Sequence, residues 1–419
     1  MIHRQLVIIG GGSAGMAAAL EAREHGVLDI LILEKNAFLG GILNQCIHNG
    51  FGLHVFKEEL TGPEFMTRFL NLVNEKKIDY RLMSNVLSIS KDKVVTYSNS
   101  YEGLVEVQAD AIILTTGCYE RNAGAIQIGG DRPSGIYTAG QAQLYLNCAG
   151  YLVGKKVFIL GSGDIGLIMA RRMTLEGAKV LGVAELMPYS AGLNRNIVQC
   201  LQDFNIPLYL SHTVKEVRGK GRLEKVILAK VDEKMQFIPG TEMEFEVDTL
   251  LLSVGLVPNV DLFNQLEIHF SKTRGAVVNQ DMETEIPGIF CAGNVLHVHD
   301  LVDYVVEEAR EAAVGASKYL DHKLSHQGHL YDVNPGYGIN YVVPQKIYLD
   351  DANDKISFKF RVAKPFKDIS ILIKEGDKIL KKIIKPAIVP SEMEIVYVDK
   401  TLFSLENKEI TVVVEEKIK

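Results

Sequence analysis

Near the amino terminus the run Ile9-Gly10-Gly11-Gly12-Ser13-Ala14-Gly15 carries a G-x-G-x-x-G spacing, and Glu34 stands 19 residues past the last glycine. A loop that holds a pyrophosphate needs these types in this order. The first glycine allows a tight turn, the second lets backbone approach the phosphates, and the third lets a helix pack closely on a strand, while the helix N-terminus faces the negative charge. A carboxylate placed like Glu34 accepts hydrogen bonds from a ribose diol. Alone, the spacing would mean only a tight turn followed by a surface glutamate.

It is not alone. Gly161-Ser162-Gly163-Asp164-Ile165-Gly166 repeats the pattern, and Glu185 again follows 19 residues on. Its neighbours Leu186, Met187 and Pro188 include no cation. A carboxylate in that place repels a 2′-phosphate, so the second loop is expected to prefer NAD to NADP.

The elements that must position these loops are legible as a repeated βαβ rhythm. Gln5–Ile9 and Leu28–Leu33 read as strands around a helix over Ser13–His25. In the second copy, Lys156–Leu160 and Lys179–Ala184 flank a helix over Asp164–Glu176. Further strands are expected at Ala109–Leu114, Thr249–Val254 and Gly275–Val278, and a helix at about 301–320. The glycine-rich stretch 117–140 reads as an ordered connection. Beyond Pro335 the strand-like segments Ile356–Val362, Ile369–Lys374, Glu394–Val398 and Ile410–Val414 are joined by turns such as Glu375-Gly376-Asp377. The fold class expected is α/β, with two Rossmann-like dinucleotide-binding domains and a small C-terminal all-β domain over 335–419. The first dinucleotide domain is discontinuous, 1–117 with 260–330, and the second occupies 118–259.

Composition agrees with a globular enzyme: 419 residues, 23% charged, 47% hydrophobic. A net charge of −7 gives no reason to expect nucleic acid. Apolar runs such as Leu250–Val257 are strand-sized and too short to span a membrane. The first residues run directly into a strand, which leaves no room for a signal peptide. Five scattered cysteines (46, 118, 148, 200, 291) suit a reducing cytoplasm rather than a disulfide scaffold.

Two such loops about 150 residues apart resemble the pyridine-nucleotide flavoprotein oxidoreductases that carry two dinucleotide-binding domains. Leu114-Thr115-Thr116-Gly117 is similar to that superfamily's A-T-G strand end. Ser253-Val254-Gly255-Leu256-Val257-Pro258-Asn259 is similar to its G-x-x-P-N segment. Thr284 through Phe290-Cys291-Ala292-Gly293-Asn294 is similar to its second FAD motif, which normally ends in Gly-Asp. The resemblance spans about 5–320. It implies FAD on the first domain, held by Gly10, Gly12, Ser13, Ala14, Gly15, Glu34 and Lys35, with Gly41, Val86, Thr116, Gly117, Gly293, Asn294 and Val302. It implies NAD(H) on the second, held by Gly161, Gly163, Asp164, Ile165, Gly166, Glu185 and Gly255. By the same analogy the helix near Leu301 aims its positive end at the flavin, where it would stabilise the reduced anion. Asn294 departs from the usual acid, keeping an acceptor and adding donors.

The segments Gly117-Cys118-Tyr119-Glu120-Arg121, Gly135-Ile136-Tyr137-Thr138-Ala139-Gly140 and Gly293 through Asp300 resemble flavoprotein subunits of multi-component dehydrogenases. Those include the alpha-type subunits of hydrogen cyanide synthase, opine oxidases and dye-linked proline dehydrogenase, and proteins accompanying glycerol-3-phosphate dehydrogenase. The resemblance implies a partner dehydrogenase subunit or another electron acceptor. The redox pairs of disulfide reductases are missing. Gly41 and Phe51 stand five residues either side of Cys46, and Cys148 opens no C-x-x-C. Cys46 with His48 could still serve a single-cysteine NADH oxidase or peroxidase; an inert buried thiol is the alternative, and a non-catalytic assembly subunit a further one. His297, His299 and Asp300 suggest a metal only weakly. A loop lining the flavin pocket, or a proton donor to it, fits them better, and no metal is expected. The cysteine-free C-terminal domain could dock a partner or simply stabilise the chain.

Overall fold

The computed structural model describes residues 2–416. The chain divides into two compact units, residues 1–118 with 258–419, and residues 119–257.

In the first unit, strands order as Asp79–Arg81, Ile30–Leu33, Ile2–Ile9, Gly103–Leu114, Val94–Asn99 and Asn85–Ile89, with Ile289–Cys291 joining Gly103–Leu114. The strands that carry the motifs run parallel, and their ends are in register: Ile9 pairs Leu33 and Leu114, and Leu114 pairs Cys291. That register delivers Gly10, Glu34, Thr115 and Gly293 to one edge of the sheet. Toward those ends the strands become continuous apolar runs because both faces are covered there; Leu6, Val7, Ile8, Ile112 and Ile113 are fully buried. The helix Ser13–Glu24 contributes Met16 and five buried alanines, which let it lie close to the sheet and to the long helix Val302–Leu320.

The second unit repeats the plan. Its parallel sheet orders Ile136–Thr138, Thr249–Leu252, Lys156–Leu160, Lys179–Glu185 and Leu208–Leu210. Leu160 pairs Ala184 and Leu252, so Gly161, Glu185 and Ser253 emerge together. A second, four-stranded sheet uses Gly129–Gly130, His212–Arg218, Lys225–Lys230 and Met243–Glu246.

Residues 330–416 form a five-stranded and a three-stranded sheet around a separate apolar core that includes Tyr331, Phe358, Phe360, Ile371 and Val412. Strand character begins at Leu330, ahead of the proline expected to open it. This region belongs to the first unit. Two expectations need correction. Gly275–Val278 is not a strand; only an isolated bridge, Phe270 to Ala276, forms there. The stretch 117–140 is more than a connection, since it supplies the strands Cys118–Glu120, Gly129–Gly130 and Ile136–Thr138 and the start of a helix at Ala139. Among the described residues no helix is long and apolar enough to cross a membrane.

Candidate functional site

The two acid-bearing loops are built alike. In the first, Glu34 Oε2 accepts from Gly11 N–H at 2.7 Å and Oε1 from Asn36 N–H at 2.8 Å. In the second, Glu185 Oε2 accepts from Ser162 N–H at 2.9 Å and Ser162 Oγ at 2.7 Å, and Oε1 from Met187 N–H at 3.0 Å. Both carboxylates are buried. The bonds fix each group beside its glycine turn, and each carboxylate oxygen has room for two acceptor contacts, so a ribose hydroxyl can still be received.

The glycines separate into those the protein needs and those it does not. A Cβ on Gly15 would sit 1.8 Å from Gly10 O, and one on Gly10 would meet Thr115 O at 2.5 Å. In the second unit Gly166 and Gly161 are as tightly hemmed, by Gly161 O at 2.5 Å and Ser253 O at 2.0 Å. The middle glycines differ. A Cβ on Gly12 would find nothing nearer than Gly41 Cα at 4.0 Å, and one on Gly163 nothing nearer than Ser253 Oγ at 3.4 Å. Both have ordinary extended backbones, with φ of −77° and −63°. Neither packing nor strain explains glycine there. An open cradle at a helix N-terminus, whose first N–H groups have no carbonyl one turn back, fits a dinucleotide pyrophosphate at both loops.

Gly41 and Gly293 join the first edge, and the other expected residues lie as follows. Gly41 abuts Gly12, and Gly293 packs on Ala14, since a Cβ on Gly293 would lie 3.3 Å from Ala14 Cβ. Thr116 Oγ1 donates to Asn259 O at 2.8 Å. Asn294 Oδ1 accepts from His299 N–H at 3.0 Å, and its amide donates to Cys118 Sγ at 3.6 Å. Val302 begins the long helix, Val86 is half-buried on the strand Asn85–Ile89, and Gly117 takes a φ of +72°. Lys35 is exposed beside Glu34. In the second unit Ser13's counterpart, Asp164, turns its carboxylate to Leu193 N–H and Asn196 Nδ2, at 2.8 and 2.6 Å, which leaves its backbone N–H rather than its charge for a phosphate. Ile165 is half-buried on the same helix, and Gly255 is exposed with φ +103°.

Two supports went unassigned in the sequence. Thr115 Oγ1 lies 3.0 Å from Ile9 O and 2.9 Å from Gly10 O, pinning the first turn. Ser253 does the same for the second, accepting from Gly166 N–H at 3.1 Å. Each immediately follows a central strand, and that position was the available signal.

Cys46 ends the short 3-10 helix Gly41–Gln45, its thiol donating to Ile42 O at 3.4 Å and its carbonyl accepting from Gly62 N–H at 2.8 Å. His48 stacks obliquely on Phe51, with ring centroids 5.0 Å apart. The five cysteines form no disulfide. Asp303, buried in the first turn of the long helix, accepts N–H bonds from Gly52, His54 and Val55 at 3.1, 2.9 and 2.8 Å. It thereby ties the segment after Cys46 to the helix end that was expected to face the flavin.

His297, His299 and Glu308 offer one ligand atom each within 4.8 Å. Glu308 Oε2 is bonded to His297 Nε2 at 2.7 Å and lies 3.3 Å from the buried ammonium of Lys359. That ammonium is already the cation a metal would have to replace. Burial pushes His297 down to about 4, against the pull of Glu308, so it is a neutral donor at pH 7. Burial opposes the charge on Glu308, but its histidine and lysine neighbours outweigh that and hold its carboxyl well below the usual range.

Comparison with known proteins agrees with this geometry. The chain is 26% identical over 313 residues to hydrogen cyanide synthase subunit HcnB of Pseudomonas protegens, covering 69% of this chain and 65% of that one. It therefore spans just under two thirds of that relative. It is 28% identical over 296 residues to thioredoxin reductase of Listeria monocytogenes, covering 69% and 85%. The crystal structure of T. acidophilum thioredoxin reductase shares the fold, with a TM-score of 0.62 at 24% identity over 77% of this chain and 99% of that one. Residues 4–316 match the family described as pyridine nucleotide-disulphide oxidoreductase. The chain belongs to that family.

Proposed function

We propose that the chain is an NADH-dependent flavoenzyme that hands its electrons to a separate acceptor as a subunit of a larger dehydrogenase. The supporting observation is the matched pair of carboxylates, Glu34 and Glu185, each fixed by backbone N–H groups beside an open glycine cradle. Bound FAD supplies the hydride chemistry. In this reading Glu34 holds one ribose in the first unit and Gly12 admits the pyrophosphate; Glu185 and Gly163 do the same for NADH in the second. Glu185 also selects against a 2′-phosphate, because the buried carboxylate would face a like charge. The subunit role rests on the likeness to HcnB, which is itself a named subunit. The absence of a C-x-x-C or C-x-x-x-x-C pair points the electrons away from a disulfide acceptor.

The test is anaerobic stopped-flow mixing of the flavin-loaded protein with NADH and, separately, NADPH. NADH should bleach the visible flavin band much faster than NADPH. Equal rates would remove the preference, and no bleaching by either would remove the reading.

A further inference from the structure

The strand Lys355–Val362 alternates strictly. Ile356, Phe358, Phe360 and Val362 enter the core of the C-terminal β domain. On an ordinary outer strand the opposite face, with Lys359 and Arg361, would meet water. Here it does not: Lys359 is 1% exposed. Its ammonium bonds Glu311 and stands 3.3 Å from Glu308 Oε2, both on the long helix. Arg361 donates to Asp300 Oδ1 at 3.1 Å and Val298 O at 3.2 Å, and to Tyr341 OH, which itself lies 3.3 Å from His297 Nδ1.

These contacts converge on one loop. Glu308 Oε1 accepts from Gly293 N–H at 2.8 Å, and Gly293 packs on Ala14 in the first turn beside the pyrophosphate cradle. A bare carboxylate with no exposure would take up a proton or move out, because burying an unpaired charge costs several kcal/mol. Glu308 stays ionised because His297 and the Lys359 ammonium both lie against it, and of the two only Lys359 comes from the β domain and carries a full charge. The sequence of supports is therefore Lys359 to Glu308 to the Gly293-Asn294 turn. One further group stands in the cluster unsatisfied: both ring nitrogens of His299 are buried without a hydrogen-bond partner, the nearer 3.5 Å from Glu308 Oε2.

We infer that Lys359 of the C-terminal β domain is a positioning residue of the flavin site, balancing the Glu308 carboxylate that holds the Gly293-Asn294 turn. The inference rests on the proposal that this turn binds FAD. The β domain then completes the cofactor site and is no appendage. Reduced flavin is an anion, so the charge left in this cluster should register in its reduction potential.

Three flavin-loaded variants test this by their two-electron midpoint potentials. Lys359→Met leaves Glu308 unbalanced, and reduced FAD should bind about tenfold more weakly relative to oxidised FAD, a shift of about 30 mV to the negative. Glu308→Gln removes one negative charge and leaves the ammonium to Glu311 alone, which should shift the potential to the positive. The double variant K359M/E308Q loses one charge of each sign, keeps the net charge of wild type and should return close to it, which a purely structural role would not produce. Should Lys359→Met not fold, the sign of the Glu308→Gln shift decides. An unchanged potential in either single variant, or no recovery in the double, overturns the inference. If the wild-type protein takes up no FAD at all, the functional proposal itself falls instead.

Discussion

Replacing Gly12 by alanine separates the needs of the fold from those of the cofactor. The φ of −77° suits any residue, and a Cβ would meet no protein atom closer than 4.0 Å. Alanine at such a position restricts the unfolded chain, so the protein without flavin should gain about 0.4–1 kcal/mol. With flavin the sign reverses. The methyl group occupies space where phosphate must approach backbone, and a hundredfold loss of affinity corresponds to about 2.7 kcal/mol. At an FAD concentration about 100 times the wild-type Kd, wild type gains about 2.7 kcal/mol from the ligand and the variant only about 0.4. Melting curves with and without FAD should therefore cross: Gly12→Ala melts higher than wild type without FAD and lower with it. Gly15→Ala is the control, since its Cβ would sit 1.8 Å from Gly10 O. It should lose about 3 kcal/mol or more with or without flavin. If Gly12→Ala binds FAD as tightly as wild type in a fluorescence titration, the open cradle is not a phosphate site.

Other expectations follow from the same geometry. Glu185→Gln turns an acceptor into a partial donor facing Ser162 and Met187 N–H groups, and should raise the KM for NADH at least about tenfold while FAD content stays unchanged; a rise confined to FAD loss would contradict the assignment of two separate sites. His297, pushed down to about 4 by burial, binds its proton more readily when unfolded, so stability should fall as pH drops from about 6.5 to about 4, by up to about 3 kcal/mol. Urea midpoints across that window should show the slope, and His297→Gln should flatten it. Cys46→Ser should leave NADH-driven dye reduction unchanged, since the thiol is engaged with the Ile42 carbonyl; a large loss would revive the single-thiol oxidase.

Much of the site was legible because it is local. Glycine spacing, a preceding strand and an acid 19 residues on are all encoded within one βαβ unit, and the register of parallel strands then brings Gly10, Glu34, Thr115 and Gly293 to one edge. What stayed hidden is long-range. Alternation in Lys355–Val362 shows which residues share a face, but nothing in it says that the polar face meets Glu308 and Glu311, about fifty residues earlier. Gly275–Val278 has the residue types of a strand yet lacks a ladder partner beyond Ala276. Asp164 lies within the phosphate motif, but its carboxylate is diverted to Leu193 and Asn196 by a loop whose path the motif does not specify.

The two-faced strand also bears on how this protein could be shortened. The thioredoxin reductase of T. acidophilum aligns over nearly its whole length with 77% of this chain, which invites trimming to the shared fold. Cutting away the last ninety or so residues would take with it the ammonium and the strand that cover Glu308, and would loosen the turn that this carboxylate grips. On the inference above, a trimmed protein that keeps Glu308 should hold FAD more weakly than one in which a neutral side chain replaces it.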